Sequence, residues 1–156
     1  MITIENTTAT EALAILIGQV AQPGDNLVLT GDLGAGKTTL TKGIAKGLEI
    51  DQLIKSPTYT IIREYNGRIP LYHMDVYRVS GDADALGLDE YFEGDGLSVI
   101  EWGNQLAETL PQDYLELIIE KDDTDLDKRI VNFRAYGVQA TAFLDRIQQR
   151  WATAHD

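Results

Sequence analysis

Eight consecutive residues constrain this chain more than any others. Gly31-Asp32-Leu33-Gly34-Ala35-Gly36-Lys37-Thr38 matches the pattern G-x-x-x-x-G-K-[S/T] in full. The motif follows residues 26–30 (Asn-Leu-Val-Leu-Thr), whose apolar centre suits a buried central strand. It precedes residues 39–48, which read as a helix. Glycines at 31, 34 and 36 let the backbone turn its N–H groups inward, forming a nest for phosphate oxygens. The helix beyond adds its positive N-terminal end. Lys37 can reach the β- and γ-phosphates, and the Thr38 hydroxyl can ligate Mg2+. The segment is read as a nucleotide-binding loop.

The flanking sequence supplies elements that fit such a loop. Residues 1–4 alternate apolar and polar, as a short strand does. Thr8 and Glu11 have capping-box spacing for a helix start. Leu13, Leu16, Ile17 and Val20 then repeat at i, i+3, i+4 and i+7, so that helix buries one face before Pro23-Gly24 ends it. Residues 58–65 and 69–77 are strand-like runs around Asn66-Gly67-Arg68, where the Asn-Gly pair predicts a tight hairpin turn built on positive φ angles. Residues 97–100 (Leu-Ser-Val-Ile) form another buried-type strand, and residues 114–120 and 129–136 a second hairpin. Ala140, Phe143, Leu144, Ile147 and Trp151 mark one face of a C-terminal helix. The expectation is one domain over residues 1–156. Its class is α/β: a three-layer P-loop NTPase-like domain with a central, mostly parallel sheet flanked by helices, plus antiparallel hairpins.

Composition removes several function classes. Thirteen basic residues against 25 acidic ones give a net charge of −12, which disfavours direct grip on nucleic acid or an anionic membrane. The absence of cysteine excludes disulfides and thiol catalysis, and two histidines make a His-rich metal site a poor expectation. No Lys or Arg occurs in the first 36 residues and no apolar run near that end could span a bilayer, so a cytoplasmic protein is expected. Residues 81–96 hold Asp82, Asp84, Asp89, Glu90, Glu93 and Asp95 without one basic residue. They read as a solvated acidic loop, which Leu86, Leu88, Tyr91 and Phe92 could instead dock as a short helix.

A phosphate loop needs a carboxylate near its metal, and two candidates end strand-like runs. Glu101 closes Leu97-Ser98-Val99-Ile100-Glu101, and Asp75 closes Leu71-Tyr72-His73-Met74-Asp75. No asparagine is followed by lysine, so the guanine-reading Asn-Lys-x-Asp pattern is absent and adenine is the expected base. A small-molecule kinase is the alternative reading, although the seven arginines are scattered and no lid segment stands out. A nucleotide-sensing module with incidental hydrolysis is a third.

Together the motifs resemble the TsaE (YjeE) family of bacterial P-loop ATPases in tRNA threonylcarbamoyladenosine synthesis. The resemblance is carried by the phosphate loop through Thr39, Ser56-Pro57-Thr58-Tyr59-Thr60, His73-Met74-Asp75-Val76-Tyr77-Arg78, Leu86-Gly87-Leu88-Asp89-Glu90-Tyr91 and Glu101-Trp102. It implies an accessory protein that binds and hydrolyses ATP with Mg2+ in support of two partners, TsaD and TsaB, and meets tRNA only through that complex. By the same resemblance Gly34, Ala35, Gly36, Lys37, Thr38 and Thr39 would hold the nucleotide, and Thr38 and Glu101 the Mg2+. Asp75 would lie by the γ-phosphate as a water-positioning or metal-shell residue. The residues Ser56, Pro57, Thr58, Tyr59 and Thr60 would act as a switch segment, and Trp102 would flank the site. Thr10, on the adenine side, and Arg129 join the nucleotide-binding set by looser correspondence.

Overall fold

Leu27, Val28 and Leu29 are almost wholly buried, which makes β2 (Asn26–Gly31) an interior strand with both faces covered. The computed structural model describes residues 2–4, 6–31, 37–51, 62–75, 94–101, 113–124 and 128–154. Around β2 these comprise the strands β1 (Ile2–Ile4), β3 (Ile62–Tyr65), β4 (Leu71–Asp75), β5 (Leu97–Glu101), β6 (Tyr114–Lys121) and β7 (Arg129–Tyr136). The helices are α1 (Thr7–Val20), α2 (Lys37–Gly47) and α3 (Val138–Ala154). All seven strands form one sheet in the order β1-β7-β6-β2-β5-β4-β3. The middle four, β4, β5, β2 and β6, are parallel, and antiparallel pairs close both margins. The α/β class expected from the loop is the class observed, with the two hairpins at β3–β4 and β6–β7.

Alternation within the strands decides where the helices pack. Leu27 and Leu29 of β2 align with Val99 and Glu101 of β5 and with Leu115 and Leu117 of β6. Their apolar members share one core with Leu13 and Ile17 of α1, Leu40 and Ile44 of α2, and Phe143 and Ile147 of α3. Val28, Met74, Ser98 and Ile100, one position out of phase, are buried as well. The apolar stripes expected for the first and last helices are the faces that pack.

Two local expectations are corrected. Helix α1 starts one residue before Thr8, and its N-cap is Asn6, whose Oδ1 accepts the Ala9 N–H at 2.8 Å. That bond satisfies one of the orphan donors of the first turn, so the Thr8–Glu11 capping box is not what opens the helix. The β3–β4 connection runs through residues 66–70, and neither Asn66 nor Gly67 adopts a positive φ. Here the tertiary contact sets the turn: Arg68 donates its backbone N–H to Leu48 O at 2.6 Å and its Nη2 to Gly18 O and Ala21 O at 2.9 and 2.8 Å.

Helices α1 and α2 lie side by side and run in the same direction, with Ala14 against Gly43 and Gly18 against Gly47. A Cβ on Gly47 would stand 2.1 Å from Ile15 O, so only glycine permits this approach. At its start, α3 is held by a residue distant in sequence. The Asp113 carboxylate accepts the N–H groups of Gln139 and Ala140 at 2.9 and 2.7 Å, meeting donors that the helix itself leaves open.

Candidate nucleotide site

Three parallel strands bring the candidate residues to one edge. Strand β5 lies between β2 and β4, and all three end at the same side of the sheet. Leu29 aligns with Glu101, and Glu101 aligns with Asp75, so the two carboxylate positions close adjacent strands. Gly31 ends β2 beside them; a Cβ there would lie 2.4 Å from Ile119 O of β6. Ligands of open α/β sheets bind outside such carboxyl ends. The chain leaves Gly31 and re-enters as α2, whose first three residues are Lys37, Thr38 and Thr39. The N-terminus of a helix, with its unpaired N–H groups, therefore opens where the motif expects phosphate.

The side alignment of α1 and α2 carries Thr10 to this end of the fold, one turn before Ala14 as Thr39 is one turn before Gly43. Thr10 is buried, and its Oγ1 donates to Asn6 O at 3.2 Å, within its own first turn. Arg129 begins β7 opposite Lys121 of β6, at the same edge but two strands from β2, with its Nη1 donating to Lys128 O at 2.9 Å. Gly34, Ala35, Gly36, the switch residues Ser56 to Thr60, Arg78, Trp102 and most of the acidic run lie outside the described residues.

His73 belongs to the site and was given no role in the sequence reading. Its Nε2 is 2.8 Å from Glu101 Oε2, with side-chain exposures of 1% and 7%. His73 engages Oε2 and thereby fixes the plane of the carboxylate, while its own Nδ1 is buried without a partner among the described residues. The available signal was parity: His73 precedes Asp75 by two positions, the period of a strand.

A buried carboxylate whose described partner is an imidazole suits an oxygen-seeking cation. Among the described residues no group of three or more His, Cys, Asp or Glu side chains gathers as a metal site. The oxygen donors that the motif and the resemblance together assign, Thr38 and Glu101 with Asp75 nearby, are of the kind Mg2+ takes, an ion that keeps several waters and accepts one or two carboxylates from the protein.

The strand order, the loop after β2 and the helix that follows define the P-loop α/β fold class. The family model described as "Threonylcarbamoyl adenosine biosynthesis protein TsaE" matches residues 4–131. A tRNA threonylcarbamoyladenosine biosynthesis protein TsaE from Bacillus subtilis (strain 168) is 51% identical over 133 residues, 85% of this chain and 83% of the relative. A protein of the same description from Streptomyces coelicolor is 37% identical over 146 residues, 88% of this chain and 90% of its own. The crystal structure of Bacillus subtilis YdiB superposes with a TM-score of 0.82 at 43% identity, covering 96% of this chain and 93% of that one. The chain belongs to the TsaE family. Among the described residues no helix is long and apolar enough to cross a membrane.

Proposed function

We propose that this chain is a cytoplasmic Mg2+-dependent ATPase acting in tRNA threonylcarbamoyladenosine formation as an accessory to TsaD and TsaB. The observation that carries the reading is the register Leu29–Glu101–Asp75 across adjacent parallel strands, at the edge where β2 ends on Gly31. Family membership supports the pathway, and the relatives' descriptions name that modification. In this reading Lys37 and the loop N–H groups hold the phosphates, and Thr38 and Glu101 hold Mg2+. Bound there, Mg2+ supplies positive charge against the transferring phosphate. Asp75 orients the attacking water, His73 keeps the Glu101 carboxylate in place, and Trp102, Thr10 and Arg129 border the nucleotide.

The residues Ser56 to Thr60 respond to the γ-phosphate as a switch segment. The net charge of −12 repels tRNA, so contact with it runs through the partners. Fast phosphoryl transfer commonly needs an added arginine, worth about 10³–10⁵ in rate. The lone chain is therefore slow, and docking completes the site. Steady-state phosphate release at saturating Mg-ATP, measured alone and with TsaB plus TsaD, tests this. Stimulation by the partners is expected. A high rate for the lone chain that the partners leave unchanged refutes the accessory role, and phosphate passed to an added small-molecule acceptor marks a kinase instead.

A further inference from the structure

At the opposite edge of the sheet, the end of α1 forms the wall of a cavity of about 460 Å3 lined by Gln19, Gln22, Arg68, Arg146, Gln149 and Arg150. Three of the chain's seven arginines meet there, in a protein of net charge −12. Two of them are locked in place. Arg68 donates through Nη2 to the carbonyls of Gly18 and Ala21. Arg146 donates through Nε to Val20 O at 2.9 Å and through Nη2 to Asp25 Oδ2 at 2.6 Å. Capping the C-terminus of α1 accounts for both of these. It does not account for Arg150, which projects from α3 one turn beyond Arg146, is exposed, and has no hydrogen bond or ion pair among the described residues.

The charge balance is favourable to an anion. Three guanidinium groups less the Asp25 carboxylate leave a charge of two, reduced by roughly half a unit from the helix end. Each anchored arginine keeps N–H groups outside the bonds that fix its plane, and a fixed fork loses little freedom on meeting a phosphate. The volume falls within the range of small-molecule sites, roughly 300–1,000 Å3, and Gln19 and Gln22 add amide groups to its lining. The position, at the amino ends of β2 and β4, separates this cavity from the loop at their carboxyl ends.

We propose that this cavity is a second anion site, which binds the phosphate group of a small phosphorylated ligand between Arg150 and the anchored Arg68 and Arg146. The test is a titration of the full chain with inorganic pyrophosphate, followed residue by residue through backbone amide NMR shifts. Saturable shifts are expected at Gln19, Gln22, Gln149 and Arg150, independent of any response at the start of α2. Arg150→Ala should weaken that binding about tenfold or more, Arg150→Lys should restore part of it, and the affinity read at Thr39 and Leu40 should stay unchanged. Absence of saturable shifts around Arg150, or shifts that survive Arg150→Ala, overturns the proposal. So does binding here of a short single-stranded oligonucleotide but not of pyrophosphate, since the phosphate source would then be a nucleic-acid backbone. Because the amides of α2 report separately, failure of the nucleotide reading and failure of this one are distinguishable.

Discussion

Replacing Arg146 by alanine strips the guanidinium from a carboxylate that is 1% exposed. Asp25 accepts three hydrogen bonds: from the Gln22 backbone N–H at 2.7 Å, from Gln139 Nε2 at 2.9 Å, and from Arg146 Nη2 at 2.6 Å. Breaking a buried ion pair from one side typically costs about 3–5 kcal/mol, because the charge left behind is uncompensated. Two bonds to Asp25 survive here and Arg146 is itself 25% exposed, so the lower end, about 3 kcal/mol, is expected. For a domain of this size that loss corresponds to a melting temperature lowered by roughly 6–12 °C.

The cost should also depend on pH, with a definite sign. Burial pushes the Asp25 carboxyl above its ordinary value of 3.8, while the Gln22 N–H, Gln139 and Arg146 pull it back down. Without Arg146 the folded-state value rises further. A group whose folded pKa exceeds its unfolded one contributes stability that is present below the unfolded pKa and lost as pH rises through the folded value. The destabilisation by Arg146→Ala is therefore largest near neutrality and shrinks as pH falls towards 3.8. Adding Asp25→Asn to the variant should recover part of the loss at neutral pH. Denaturant titrations of the parent, Arg146→Ala and the double variant at neutral and acidic pH measure both effects. A loss that is equal at the two pH values and untouched by Asp25→Asn refutes the buried-charge argument.

Gly47→Ala should destabilise the fold by about 1–3 kcal/mol through overpacking against Ile15 O and Gly18, although alanine is the better helix former; a denaturation midpoint equal to or above that of the parent counts against the close α1–α2 approach. Lys37→Ala should lower ATP affinity by about 2–5 kcal/mol, and unchanged binding and turnover in a folded variant sinks the loop assignment. Glu101→Ala should abolish Mg-ATP hydrolysis and flatten its Mg2+ dependence, whereas Asp75→Asn should retain ATP and slow turnover; swapped phenotypes reverse the two roles. The isolated chain should bind tRNA weakly, since its net charge of −12 repels the phosphate backbone, and a tight complex with a steep salt dependence refutes this.

What could be read from the sequence follows from how local each interaction is. Strand β2, strand β5 and the apolar stripes of α1 and α3 were legible because alternation and helical periodicity are written in consecutive residues. The helix starts from Asn6 rather than Thr8, although both offer side chains suited to capping, because the Ala9 N–H donates to Asn6 Oδ1. The Asn66-Gly67 turn misled for a different reason. A contact from Arg68 to Leu48, twenty positions back in the chain, overrides the intrinsic preference of the dipeptide. The anchors of α3 and Asp25 lie in Asp113 and Arg146, far from the groups they satisfy. No pattern of spacing encodes such pairings.

The candidate site and the core are two stretches of the same register. Reading along one parity of β5 gives Leu97, Val99 and Glu101; along the matching parity of β4 it gives Leu71, His73 and Asp75; along β2 it gives Leu27, Leu29 and Gly31. The apolar members of these rows pack with α1 and α2, and the polar ones begin where the rows reach the carboxyl edge. The core residues thus hold the site residues in phase. A slip of one position in β5 would put Ser98 and Ile100 in place of Leu97 and Val99 against the helices and turn Glu101 away from His73 at once. Selection of the correct register by hydrophobic burial, the larger effect, therefore also fixes a carboxylate beside the carboxyl end of β2. The polar pair needs to supply only the final orientation.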